Sequence, residues 1–264
     1  MFVLTDCAPN PAPCSYAFPD ADLSTHPDAA SRWLSENLFR TRFGVCLLRG
    51  PAGDMLVDCG VGPGPTAYFP GLTGRLIDSL AAAGSAPERV ADVVFTHLHV
   101  DHVGWSGAFP QARFHVAEAE WTHWSVAGVQ AGLPHHVAAF ERCIAPLAAS
   151  GRLHVFGDDA GGLPDGVRPL PAPGHTPGHH AVLVQGRLLI AGDLWHNPAQ
   201  IEVPRWCHRA DQDKPRAIAS RTAFAAQAER EGWLVAAGHF TEDVSLGRIE
   251  AGRFVPLSPS GASP

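Results

Sequence analysis

Short apolar runs that stop at a polar residue constrain this chain more than any other feature. The run over 90–95 leads straight into Thr96-His97-Leu98-His99-Val100-Asp101-His102. The run over 187–191 ends in Gly192-Asp193, and the run over 233–237 ends in Gly238-His239. An earlier β-type run over 55–57 ends in Asp58-Cys59-Gly60, and His175 lies in the Pro/Gly loop 171–178 that follows a strand candidate over 167–170. Short apolar runs bounded by turn formers read as strands. A strand end followed by a tight loop lets a rigid sheet aim several side chains at one point, so imidazole and carboxylate groups are expected to collect along one sheet edge. Alternation along an extended backbone puts His97 and His99 on the same side, while Asp101 and His102 follow after the chain has turned.

Two divalent ions about 3.5–4 Å apart need roughly three protein ligands each plus a bridging group. The five histidines and two aspartates of this set are enough for that arrangement. The chain has 15 His against a single Lys, Lys214. A high count is not a site, and position has to decide which histidines carry chemistry.

The remaining elements follow from the same pattern. Strands over 43–48 and 55–57 form a hairpin through Gly50-Pro51-Ala52-Gly53, and Leu76, Ile77 and Leu80 mark a helix closed by Gly84. A strand over 112–116 precedes helices over 118–125 and 135–150. Strands follow over 153–156, 167–170, 181–184 and 187–191, the last two joined by Gln185-Gly186. A helix with Pro215 in its first turn turns Ile218, Phe224 and Ala228 inward, and strands over 244–249 and 254–257 close the sheet. The Pro- and Asp-rich residues 1–40 read as an irregular arm with one short helix over 31–39. Residues 41–257 read as a single domain and 258–264 as a frayed tail.

Composition narrows the function classes. At 264 residues and 45% hydrophobic, the chain can bury a sizeable core, which excludes disorder as its main state. A net charge of −7 with dispersed basic residues argues against a nucleic-acid partner. No apolar run reaches the roughly 18–20 residues of a membrane span. The first residues lack a basic start and an apolar stretch, so no membrane association and a cytoplasmic location are expected. The six cysteines are scattered, without a C-x-x-C pair, and read as small apolar fillers. Neither a phosphate-cradling glycine loop nor a Gly-x-Ser-x-Gly elbow occurs.

The H-x-H-x-D-H of His97 to His102, followed in order by Pro173-Gly174-His175-Thr176-Pro177-Gly178-His179, Ala191-Gly192-Asp193 and Gly238-His239, resembles the metallo-β-lactamase-fold hydrolases. Leu56-Val57-Asp58-Cys59-Gly60 is similar to that family's strand ending in Asp-x-Gly. The resemblance implies an α/β (α+β) fold, an αββα sandwich of two mixed sheets flanked by helices. It also implies two Zn2+ ions, the first held by His97, His99 and His175 and the second by Asp101, His102 and His239, with Asp193 bridging. Asp58 would hold a ligand histidine by accepting its remaining N–H. The implied reaction is hydrolysis of a small molecule by a hydroxide activated between the two ions, with Asp101 relaying a proton to the leaving group.

The segment from Gly192 to Gln200, with Pro204 and Trp206 beyond it, is similar to the branch of lactonases, including those acting on acyl-homoserine lactones, and related organophosphate hydrolases. Many of these lactonases carry a Tyr shortly after the bridging Asp. Here Trp195 or His196 stands there, and His196 either donates to a substrate oxygen or packs. Glyoxalase-II-like thioester hydrolysis is an alternative. A diiron redox module is a further one, although that branch generally has Glu where His99 stands. Trp105 and Trp195, each close to a ligand, are the first candidates for an apolar substrate wall. His26, His115, His123, His135, His136, His154 and His208 read as surface or packing residues, and His179 and His180 as support. A homodimer is compatible with the chain.

Overall fold

The computed structural model describes residues 1–64, 69–125 and 134–257. The tail expected at 258–264 lies outside the described residues. The first half of the chain contributes strands β1 (Phe2–Cys7), β2 (Ala12–Pro13), β3 (Leu38–Phe39), β4 (Phe43–Leu48), β5 (Asp54–Val57), β6 (Val90–Val94), β7 (Arg113–Ala117) and β8 (Leu153–Phe156). The second half contributes β9 (Val167–Pro171), β10 (His180–Val184), β11 (Leu188–Ile190), β12 (Leu234–Ala236), β13 (Leu246–Glu250) and β14 (Arg253–Pro256). One six-stranded sheet has the order β1-β4-β5-β6-β7-β8, the other β14-β13-β12-β11-β10-β9, and β2 pairs with β3 apart from both. Both large sheets are mixed. β5 to β8 run parallel, as do β11 and β12, and the other pairings are antiparallel.

Strand alternation explains why the sheets stack face to face with helices outside. Successive side chains point to opposite faces, and in the central strands both faces are apolar. Val45, Leu47, Leu56 and Val93 pack outward against Leu76 and Leu80 of helix Leu76–Ala82 and against Ile144 and Leu147. Their neighbours Cys46, Val57 and Val94 point the other way and meet Val182, Ile190 and Ala236 between the sheets. Ala181, Leu183, Leu189 and Val235 then face Phe224 and Ala228 of helix Lys214–Glu231. The result is the αββα sandwich. That helix is capped by the Asp213 side chain, which accepts from the Arg216 amide, and it ends at left-handed Gly232. Its buried stripe is Ala217, Arg221, Phe224 and Ala228; Ile218, expected to face inward, is only half-buried.

The two layers meet backbone to backbone where the His180 amide donates to the Thr96 carbonyl at 3.0 Å and where Gly44 faces Gly238. A Cβ added to Gly44 would lie 2.6 Å from the Gly238 carbonyl oxygen, so both positions need glycine. Gly238 immediately precedes His239, and the contact seats that histidine between the layers.

Residues 1–40 depart from the arm expected of them. Phe2–Cys7 is the edge strand β1, paired antiparallel with β4, and both Leu4 and Asp6 on it are buried. Asp6 accepts the Val61 and Leu76 amides at 2.7 and 2.8 Å and the Trp105 indole N–H at 2.8 Å. The helix falls at Pro27–Trp33, with Pro27 in its first turn, and it cannot extend to 39 because Glu36 and Asn37 adopt φ of 59° and 55°. β1 carries no local signal because its partner lies some forty residues further on and no other described strand pairs with its outer edge. Among the described residues no helix is long and apolar enough to cross a membrane.

Candidate metal centre

Each predicted ligand lies just beyond a strand end. His97 and His99 follow β6, and Asp101 and His102 stand on the single turn Val100–Val103. His175 follows β9, Asp193 lies in the 3-10 turn Gly192–Leu194 after β11, and His239 follows β12. Gly192 has φ of 54°, and a Cβ there would meet His179 Nε2 at 2.6 Å and Thr96 Cβ at 2.8 Å. Only glycine lets Asp193 approach the other loops this closely.

The outer nitrogens of His97, His102, His175 and His239 are fixed. His102 Nδ1 lies 2.9 Å from Asp58 Oδ2, His175 Nδ1 lies 3.1 Å from Asp211 Oδ1, and His239 Nδ1 lies 2.9 Å from the Arg42 carbonyl oxygen. A carboxylate or carbonyl only accepts, so each Nδ1 carries the proton. Thr96 donates its hydroxyl to Asp58 Oδ2 at 2.8 Å and can therefore accept from His97 Nδ1, 3.0 Å away. When neutral, these four rings each turn an Nε2 lone pair toward the centre, and His99 turns its Nδ1 there. These lone pairs face other acceptors. His102 and His239 Nε2 lie 3.1 and 3.0 Å from Asp193 Oδ1. His175 Nε2 lies 3.0 Å from Asp193 Oδ2 and 2.9 Å from His99 Nδ1.

Acceptors in this arrangement are tolerable only with cations or extra protons between them. Without metal, protons fill the role. Burial opposes charge on His102, His175 and His239, but Asp193 overrides it and holds all three above the ordinary imidazole value, His175 at about 9. Burial and the neighbouring imidazoles keep His97 and His99 well below it. Burial also opposes ionisation of Asp193, but the encircling histidines, His239 first, hold its carboxyl well below the usual carboxylate range.

A metal centre fits the donor set. With the rings neutral, His97, His102 and His239 Nε2 and Asp193 Oδ1 are buried without a hydrogen bond. The candidate ligand atoms of His97, His99, His175 and Asp193 all lie within 4.8 Å of one another, and those of Asp101, His102 and His239 form a second such group. Imidazole nitrogens and carboxylate oxygens with fixed outer partners are what a divalent zinc-type ion takes. Asp58 meets His102 and also accepts the Thr96 amide at 2.8 Å, which ties the end of β5 to the ligand loop.

The centre opens into a cleft of about 270 Å3. Asp101, His175, Asp193 and His239 line its floor, and Phe39, Phe43 and Phe69 form an apolar wall. Pro9, Ala12 and Tyr16 of the N-terminal segment complete that wall, and Arg209 lies at its mouth with its guanidinium over the Tyr16 ring. The two tryptophans expected to supply the wall do not reach it. Trp105 is turned away by the bond from its indole N–H to Asp6 and packs on the first core. Trp195 is fully buried under the second sheet, because the chain beyond Asp193 is extended and points alternate side chains oppositely. The next residue, His196, does line the cleft, stacked between the rings of His208 and His239 at 3.8 and 5.1 Å. Its Nε2 lies 3.1 Å from Asp193 Oδ2, so its N–H is directed at the carboxylate rather than at the open cleft.

The signature profile of the metallo-beta-lactamase superfamily matches residues 45–239. The chain belongs to this superfamily. Among curated relatives, an N-acyl homoserine lactonase of a Bacillus sp is 31% identical over 111 residues, 42% of this chain and 39% of its own length. An N-acyl homoserine lactonase of Bacillus thuringiensis is 27% identical over 132 residues, 48% of each chain. The match thus spans less than half the length of these relatives. Among solved structures, the hydrolase AbOPH of the beta-lactamase superfamily aligns with a TM-score of 0.82 at 24% identity, covering 97% of this chain and 93% of its own. AidC, a dizinc quorum-quenching lactonase bound to an acyl-homoserine product, aligns with a TM-score of 0.78 at 23% identity, covering 97% and 94%. These two likenesses are likenesses of fold.

Several residues around this metallo-beta-lactamase centre escape a reading of the sequence alone. Asp211, which fixes His175, is itself held by the buried Arg221 guanidinium at 2.7 Å and by the His208 amide at 3.0 Å. Arg221 also donates to the Pro204 and Trp206 carbonyls, fastening the 204–211 loop to the long helix. His208, expected at the surface or in packing, backs His196 in the cleft, and His136 stacks on His99 at 4.3 Å. No spacing or motif marks Asp211 or Arg221, since they meet His175 only through the fold.

Proposed function

We propose that the chain is a dinuclear-zinc hydrolase that opens a lactone or cleaves a related ester, acyl-homoserine lactones among its substrates. The observation that carries this reading is the seven-side-chain cluster around Asp193, set on the floor of a cleft with an aromatic wall. His97, His99 and His175 would hold one ion and Asp101, His102 and His239 the other, with Asp193 shared. When bound, such ions supply Lewis acidity and a water acidified toward neutrality.

The chain's own residues account for the rest. Phe39, Phe43 and Phe69 offer an apolar surface to an acyl or alkyl arm, which directs the electrophilic carbonyl toward the polar floor. Asp101 keeps 12% of its side chain exposed, against 3% for Asp193, and its Oδ2 lies 3.7 Å from both His102 and His239 Nε2. It is the carboxylate placed to carry a proton from the attacking water to the leaving alkoxide. His196 steadies Asp193. The names of the lactonase relatives support the substrate class, and His99, at the position where the diiron branch generally has Glu, favours hydrolysis over a diiron redox role.

The test is a panel run on metal-loaded protein: γ- and δ-lactones, acyl-homoserine lactones of several chain lengths, aryl esters, a thioester, a phosphotriester and a β-lactam. The expected order places lactones first, with longer acyl arms favoured. A phosphotriester or β-lactam turned over faster than every lactone would overturn the substrate assignment.

A further inference from the structure

Helix Glu118–Ser125 carries no candidate ligand, yet Glu120 on it is completely buried. Its Oε1 accepts the Leu98 amide at 3.0 Å and the Trp124 indole N–H at 2.7 Å, and its Oε2 accepts the Thr176 hydroxyl at 2.7 Å. All three partners are neutral donors. A buried carboxylate without a cation is costly, and three short bonds recover only part of its lost hydration. The positions of those bonds matter more than their number. Leu98 stands between His97 and His99, and Thr176 is next to His175. The Trp124 ring lies edge-on to His99 at 5.7 Å. Every element bearing a histidine of the first cluster is therefore tied to one carboxylate. The backbone is shaped to the same end, since a Cβ on Gly178 would lie 2.1 Å from the Glu120 amide nitrogen. The loop of His175 is thus pressed directly onto the start of this helix.

We infer that Glu120 is a positioning residue for the first metal site, clamping the His97–His99 loop to the His175 loop so that three imidazoles meet at one ion. This rests on the two-metal reading above. The second group, Asp101, His102 and His239, makes none of these contacts and is held instead by Asp58 and the Arg42 carbonyl.

The experiment follows metal release rather than turnover. Zinc-loaded wild type, Glu120→Gln and Thr176→Val are mixed with a chromogenic chelator and the release of each equivalent is timed. Removing the outer support of ligands typically weakens a metal about 10–100-fold. Glu120→Gln is expected to release one of two ions faster by about that factor, with the other at the wild-type rate. Thr176→Val, which removes a single bond and should melt close to wild type without metal, is expected to loosen the same ion by less. Adding His239→Ala, which empties the second site, identifies it: the fast ion must be the one that remains. Unchanged release in both variants overturns the proposal. So does equal acceleration of both ions with a lowered metal-free melting temperature, or acceleration of only the ion that His239→Ala removes. A wild type that holds no metal defeats the two-metal reading itself, in the control and before any variant is compared.

Discussion

Replacing Asp211 by Asn separates two roles that one carboxylate performs. Asp211 Oδ1 accepts from His175 Nδ1 at 3.1 Å, while Oδ2 accepts from Arg221 at 2.7 Å and from the His208 amide at 3.0 Å. Asn has one acceptor and one donor end. If its oxygen faces His175, its NH2 meets two donors, and the Arg221 cation is left buried without a counter-charge. If its oxygen faces Arg221, its NH2 forces His175 to accept at Nδ1 and carry its proton at Nε2, where the metal would bind. Breaking a buried ion pair costs about 3–5 kcal/mol, a large share of a typical domain stability of about 5–15 kcal/mol. For a chain of this size each kcal/mol lowers Tm by about 2–4 °C, so a drop on the order of 10 °C is expected.

The double variant Asp211→Leu with Arg221→Met removes both charges. It should recover roughly half of the lost stability, because the Pro204 carbonyl that Arg221 served and the His208 amide that Asp211 served remain unpaired at about 1–3 kcal/mol each, while the Trp206 carbonyl keeps the Gln200 side chain. It should recover none of the metal affinity, which falls about 10–100-fold or about 1.4–2.7 kcal/mol in either variant. Denaturant melts of the metal-free proteins and competition titrations of the loaded ones measure the two quantities. A single variant within about 1 kcal/mol of wild type, or a double variant that binds metal normally, would refute the reasoning.

Four further outcomes follow. Chelation should lower the melting temperature, by an amount equivalent to about 4 kcal/mol if the free ion had been present at a thousand times its Kd; an unchanged melt would count against a resident metal. His102→Ala and Asp193→Asn should each abolish hydrolysis while circular dichroism stays near wild type, and residual turnover in either would contradict a shared centre. Gly104→Ala would bring a Cβ to 2.0 Å from the Val61 carbonyl carbon and should destabilise by about 3 kcal/mol or more, readable in urea. Burial outweighs the Asp92 carboxylate at His115 and lowers its pKa from 6.5. The stability this neutral imidazole carries is therefore present above about pH 6.5 and declines as pH falls below it, where the unfolded chain takes up the proton first. His115→Gln should flatten that part of the stability profile, and an identical slope in the variant would exclude the assignment.

The candidate ligands could be read from the sequence because their order along the chain follows the strands that position them. Val90 to Phe95 is apolar but for Asp92 and stops at Thr96, and the same break recurs before Asp193 and His239. Local pattern fails where the deciding partner is remote. Phe2–Cys7 becomes a strand only because β4 lies beside it, and Trp195 enters the core only because the chain extends past Asp193. Asp211 and Glu120 look like ordinary acidic residues on a turn and a helix. What they support is set by loops 36 and 56 residues away, reached at His175 and Thr176. Stacking of the sheets could not be derived from the alternation alone, since an apolar strand does not show which layer will cover it.

The backbone contact between Gly44 and Gly238 bears on how the protein comes together. The first sheet delivers His97, His99, Asp101 and His102, and the second delivers His175, Asp193 and His239, so each metal group draws on both. An ion bound there would work as a rivet through the seam between the two sheets, and it could seat only once they have closed. Metal occupancy would then report assembly as well as catalytic readiness. A chain made without metal would carry three protonated histidines, His102, His175 and His239, around the Asp193 carboxylate in that seam, which would leave the closed state strained until the rivet is driven.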